Sequence, residues 1–195
     1  MQSVDKREQI IQAATKVFAR DGLEKGRIDD IAREAGIGKG TVYEYFRSKE
    51  ELFDALVEGV IVQSIQIMDS VLLGDDSPHD RLERFLHDML DVMAQYDDEI
   101  ILMTEIWAQG ARGQWHGGGS ALVEMYHQLH EKVKAILKDG VDAGEFRDMN
   151  LDGVASLLLA FGDGLMWQYI MFPQKQHFEK MKEEAIRSFI RGIEI

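Results

Sequence analysis

The stretch that most restricts how this chain folds is residues 28–46, IDDIAREAGIGKGTVYEYF. Ile28, Ile31 and Ala32 give a first short helix an inward face, Gly36 supplies a positive-φ turn, and Ile37 plugs the corner. Val42 and Phe46 then pack a second short helix, while the small side chains of Ala32 and Ala35 let the two approach closely. The spacing predicts helices at about 28–35 and 39–46, joined as a helix-turn-helix.

The rest of the chain reads as helix as well, because apolar positions recur at 3.6-residue spacing and no run alternates strictly as a strand would. Asp5 with Glu8 opens a first helix that carries Ile10, Ile11, Ala14, Val17 and Phe18 and stops near Gly22. Ser48 and Glu51 form a capping box for a long helix to about Leu72. Ser77 and Pro78 launch a helix to about Gln95, and Asp97 and Asp98 one to about Ala111. The glycines at 110, 113 and 117–119 predict a loop, followed by a helix from Ser120 to about Asp139. Asn150 caps a helix that Pro173 ends, and a last amphipathic helix follows. The class is all-α, about nine helices, with a three-helix unit at 1–48 and a larger helical domain at 49–195.

The absence of cysteine excludes disulfides and cysteine zinc sites. The 22 Lys and Arg against 35 Asp and Glu leave a net charge of −13, which taken whole argues against a nucleic-acid partner. The distribution differs: residues 1–50 carry a net +1 and residues 51–195 a net −14. Val154 to Phe172 holds a single charge, Asp163, and is long enough to span a bilayer. Asp163 at its midpoint and the lack of flanking Lys or Arg clusters favour a helix buried on several sides by protein, so no membrane partner is expected. The N-terminus lacks the apolar run of a signal peptide, so a cytoplasmic protein is expected.

In a helix-turn-helix the second helix enters the major groove, and here Lys39, Thr41 and Tyr43 point outward while Val42 points in. The apolar helix from Ile10 to Phe18, the run DIAREAGIGKGTVYEYF at 30–46 and SKEEL at 48–52 stand in the order and spacing that resemble the TetR family of transcriptional regulators. The resemblance implies a homodimeric DNA-binding protein, usually a repressor of a pseudo-palindromic operator, whose C-terminal helices at 49–195 bind a small molecule and form the dimer. It places Lys39, Gly40, Thr41, Tyr43 and Tyr45 on the recognition helix facing DNA, and Lys49 at the phosphate-contacting start of the fourth helix. Hydroxyls can donate to phosphates, and a helix N-terminus favours an anion. Arg27 replaces a frequent small hydroxyl cap and is itself a candidate DNA contact; Gly38 replaces a frequent serine cap, and Glu44 would repel a phosphate.

Met68, Met89, Met93, Met103, Trp107, Met125, Met166 and Trp167 fall on the C-terminal helices and suit a pocket that repacks around apolar guests; an ordinary core uses the same residues. Asp91, Glu105, His87 and His127 are candidate polar handles. His127 and His130, with Glu124 and Glu131 nearby, lack a third spaced ligand, so a solvated face is expected and no metal or other cofactor is assigned. Leu158, Phe161, Leu165, Phe178, Met181 and Phe189 are the expected dimer residues. No nucleophile motif, P-loop or nucleotide-binding glycine pattern is present, so an enzyme is not expected. The competing reading is a helix-turn-helix adaptor that never touches DNA.

Overall fold

The structure is a computed structural model that describes residues 5–72, 75–95, 97–111, 118–172 and 175–195. Among these lie nine helices: α1 (Lys6–Lys25), α2 (Ile28–Glu34), α3 (Lys39–Tyr45), α4 (Lys49–Leu72), α5 (Pro78–Gln95), α6 (Asp97–Ala111), α7 (Gly118–Asp142), α8 (Leu151–Met171) and α9 (Lys175–Ile193). The expected caps form. Asp5 accepts from Arg7 N–H at 3.1 Å, Ser48 Oγ from Glu51 N–H at 3.1 Å, Ser77 Oγ from Asp80 N–H at 3.1 Å and Asn150 Oδ1 from Gly153 N–H at 3.0 Å. Two helices differ from expectation. Helical geometry breaks at Gly22 (φ 74°, ψ 165°) but one further turn follows it, and α7 runs from Gly118 to Asp142 rather than from Ser120 to about Asp139.

The chain divides into two compact units, Met1–Val62 with Asp97–Val123, and Gln63–Tyr96 with Glu124–Ile195. In the first, Ile10, Val17 and Phe18 of α1, Ile31 of α2, Val42 of α3 and Leu52, Phe53 and Leu56 of α4 are buried. The Phe18 and Phe53 rings meet edge to face at 5.7 Å. In the same unit α6 packs against α1 and buries Leu102 and Ile106. In the second unit α5 packs on α8 and α9 around Phe85, Leu86, Leu90, Leu158, Ile186 and Ile190.

The apolar α8 is long and hydrophobic enough to cross a membrane by composition alone. The expectation that it is buried on several sides is corrected: Ala155, Leu158, Gly162, Leu165, Met166 and Tyr169 face inward, whereas Leu157, Trp167 and Met171 on the opposite side are 59%, 42% and 67% exposed. Among the described residues, the helices of one copy cover only one face of α8.

The start of α5 is fastened to the end of the chain. His79 N–H donates to Glu145 Oε2 at 2.9 Å, its ring lies 3.3 Å from Asp80 and 3.0 Å from Glu194, and Phe146 pairs with Glu194 through an isolated antiparallel bridge. Burial alone would lower the His79 pKa, but the hydrogen bonds to Asp80 and Glu194 and the charges of Glu194 and Glu83 outweigh it and raise the value. A raised folded-state pKa stabilises below the unfolded value of about 6.5 and ceases to do so as pH climbs through the folded value. Wild type is therefore expected to be more stable relative to a His79→Gln variant at about pH 5.5 than at about pH 8.5, as urea unfolding at the two values will read. Equal differences at both would show that the fold does not raise the pKa of the ring.

Candidate nucleic-acid interface

The turn between α2 and α3 is set by backbone hydrogen bonds. Ile37 N–H reaches Ala32 O at 3.0 Å and Gly36 N–H reaches Arg33 O at 3.1 Å, with Gly36 at φ 65°, a Schellman stop that a side chain at this position would strain. Ile28, Ile31, Ala32 and Ala35 are buried along α2, but on α3 only Val42 is. The outer side of α3 therefore points away from the core. Tyr43 and Tyr45 are 47% and 41% exposed, Lys39 and Gly40 are exposed, and Thr41 is half-buried. Nothing lies within 4 Å of a side chain built on Gly40, so a surface can approach the backbone there.

Arg27 and Gly38 stand at the N-caps of α2 and α3 without a side-chain capping bond, and Arg27 is exposed. Lys49 is half-buried, and its ammonium donates to the carbonyls of Leu23 at 2.7 Å and Glu24 at 3.1 Å. It fastens the last turn of α1 to the start of α4. Gln9 Nε2 donates to Ala35 O at 2.6 Å, and the Arg7 guanidinium lies 5.4 Å from the Phe46 ring centroid, so α1 braces both helices of the motif. Neither tie is visible from local spacing. Asp29 on α2 pairs with Lys39 at 2.9 Å, and the hydrogen bond from Lys39 holds its carboxyl below the usual aspartate range despite partial desolvation.

The C-terminal candidates separate by position. Met125 and Met166 are buried and Met89 is half-buried in the second unit; Met103 and Trp107 are half-buried in the first. The side chains of Met68 and Met93 lie outside the described residues. Trp167 is on the exposed face of α8. Among the dimer candidates Leu158, Leu165 and Phe178 are buried within one copy, and Phe161, Met181 and Phe189 are half-buried, with the Phe161 and Phe189 rings 5.9 Å apart. The exposed positions of α8 include Leu157, Ala160, Gly164, Trp167 and Met171, a stripe spaced three and four apart in alternation.

Of the polar handles, Asp91 pairs with the buried Lys182, His87 lies 3.6 Å from Glu183, Glu105 is half-buried and His127 is exposed. The group sequence reasoning left unassigned is Asp163, whose carboxylate accepts from Tyr126 Oη at 2.8 Å. Burial raises its pKa, opposed by that hydrogen bond. His130 gathers with Glu131 and Asp152 rather than with His127, its Nε2 3.2 Å from Ser156 Oγ and 3.3 Å from Asp152 O, on a largely exposed surface.

A helix-turn-helix with a bare outward recognition helix, followed by a long all-α domain, defines a DNA-binding regulator. Residues 10–56 match the model of bacterial regulatory proteins of the tetR family, and residues 78–193 match that of the BetI-type transcriptional repressor C-terminal domain. The chain belongs to the TetR family and is a DNA-binding transcriptional regulator rather than an adaptor. It is 29% identical to the HTH-type regulator YfiR of Bacillus subtilis, covering 97% of this chain and 92% of that protein. It is 26% identical to the nicotine-responsive transcriptional repressor HdnoR of Paenarthrobacter nicotinovorans, covering 96% and 95%. A transcriptional regulator from Saccharomonospora viridis, solved in complex with choline, shares the fold with a TM-score of 0.86 over 97% of both chains at 23% identity.

Proposed function

We propose that this regulator is a cytoplasmic repressor that binds a pseudo-palindromic operator as a homodimer and releases it when an apolar small molecule enters the C-terminal helices. It acts without catalysis, as its regulator relatives do. The observation that carries the reading is the outward face of α3, where Tyr43 and Tyr45 stay exposed although aromatic side chains are ordinarily drawn into a core. With Arg27, Lys39, Gly40 and Thr41 they present donors to phosphates and base edges.

Support for the dimer comes from α8. Leu157, Ala160, Gly164, Trp167 and Met171 follow the three-four spacing of a helix-pairing seam, with small residues at the centre that allow close approach. A second copy related by a two-fold axis covers that stripe and sets two recognition helices roughly 34 Å apart, one turn of DNA. Met89, Met125 and Met166 suit an apolar effector. Bound effector favours a state in which the recognition helices no longer match successive grooves, and the shift cannot exceed its differential affinity for the two states. α4, which contributes to both compact units, carries the coupling.

The test is selection of bound sequences from a random duplex pool by the purified protein, at stated salt and after mass spectrometry of the denatured protein shows it free of ligand. A two-fold symmetric motif is the outcome that the proposal requires; ligand-free protein with no enriched motif at any salt refutes it.

One observation favours a second effector chemistry. Asp163 is a partly buried acid on an otherwise uncharged stretch of α8, joined to Tyr126, and among the described residues no basic side chain is recorded against it. A ligand with a positively charged nitrogen, as nicotine and choline carry, would supply that partner. If it does, Asp163→Asn raises the concentration of such a ligand needed to free the operator by about tenfold or more. Apolar ligands keep their effect. Titrating the bound operator with both classes decides between them.

A further inference from the structure

The basic side chains near the helix-turn-helix are mostly engaged by their neighbours. Lys16 pairs with Glu34 at 3.2 Å, Arg20 with Asp21 at 2.7 Å and Arg33 with Asp30 at 2.9 Å, while Lys49 holds two carbonyls. Lys39 is the informative case, because it opens the recognition helix. Its ammonium lies 2.9 Å from one oxygen of Asp29 and 3.2 Å from the other, a two-point grip across the corner. The two residues start different helices and meet only because Gly36 and Ile37 fold the N-termini of α2 and α3 toward one another. Both side chains are about half exposed, so the pair adds little to stability.

We propose that Asp29 is a specificity-determining residue that suppresses attraction to DNA of arbitrary sequence. Sequence-independent affinity comes from cations that displace the counterions of phosphates. A lysine already neutralised by a carboxylate displaces none, so a phosphate must compete with Asp29 for Lys39 and gains no net charge by doing so. An operator is bound through base-edge hydrogen bonds as well, and a guanine edge offers Lys39 two acceptors together. The pair therefore weakens binding to random duplex more than binding to the operator and widens the ratio between them.

The experiment compares wild type and Asp29→Asn on the operator duplex obtained by selection and on a shuffled duplex of equal length, from roughly 50 to 200 mM salt. On the shuffled duplex Asp29→Asn binds about three- to tenfold tighter, and its plot of log affinity against log salt steepens by about one unit. The operator gains less, so the ratio of the two affinities falls. In a Lys39→Gln background the same Asp29→Asn change adds no slope. The proposal is overturned by an unchanged slope, by equal gains on both duplexes, or by an Asp29→Asn effect that persists without Lys39, which would mark a general effect of surface charge. These results are distinct from a failure of selection itself, which bears on operator binding and not on Asp29.

Discussion

Tyr43→Ala is expected to lower operator affinity by roughly 10- to 100-fold while leaving the dimer and the thermal midpoint close to wild type. Tyr43 is 47% exposed and Val42 beside it is fully buried, so the substitution strips the outer face of α3 and leaves its packing intact. A hydrogen bond from a phenol to a phosphate belongs to the charge-assisted class, at about 1.5–3 kcal/mol, which sets the size of the loss. A phenol hydroxyl brings no cation to the phosphates and displaces no counterion, so the salt dependence of operator binding stays as it was, in contrast to the change predicted for Asp29→Asn. Anisotropy of a labelled operator against protein concentration measures the first part, and sedimentation the second. Unchanged affinity with the dimer intact would remove Tyr43 from the interface.

Gly140→Ala is expected to destabilise the second unit by about 1–3 kcal/mol. A Cβ at this position would lie 2.1 Å from Cδ2 and 2.4 Å from Cε2 of Phe146, far inside van der Waals contact. The ring cannot yield easily. It is 1% exposed, the Phe146 N–H is held by Gly140 O at 3.1 Å, and the next residue donates from Arg147 N–H to Ile193 O at 2.9 Å. Thermal unfolding is expected to shift down by roughly 3–10 °C. A midpoint within a degree of wild type would show that the last turn of α7 and Phe146 do not pack in this way.

Much of this architecture was legible because its signals are local. The stop at Gly36, the capping residues Ser48, Ser77 and Asn150, and the inward set Ile31, Val42 and Phe46 each act through neighbours within a few residues, which a sequence displays directly. The outward placement of Lys39, Gly40, Tyr43 and Tyr45 was legible for the same reason, since an outward position on a short helix follows from which position points in. Lys49 shows where that reasoning stops. Its place at the start of α4 was evident, but its bond to carbonyls 25 and 26 residues earlier depends on how α1 ends against α4.

The faces of α8 were the least legible part. A helix apolar nearly all round carries no periodic signal to tell its core side from its outer side. Leu157 and Leu158 are adjacent and chemically identical, yet one is 59% exposed and the other fully buried, because 100° of helix rotation separates them. Asp163 was conspicuous as a lone charge, but its partner Tyr126 lies 37 residues away.

The amino-acid sequence by itself determined the all-α class, the capped helix starts and the helix-turn-helix, because capping and turn chemistry operate over three to six residues. Only the tertiary structure decided that α6 packs on α1 in the unit that holds the DNA-binding motif, that Asp29 grips Lys39, and which side of α8 is left bare. Those outcomes come from pairing distant surfaces, and apolar burial fixes that pairing by shape and area rather than by any local pattern.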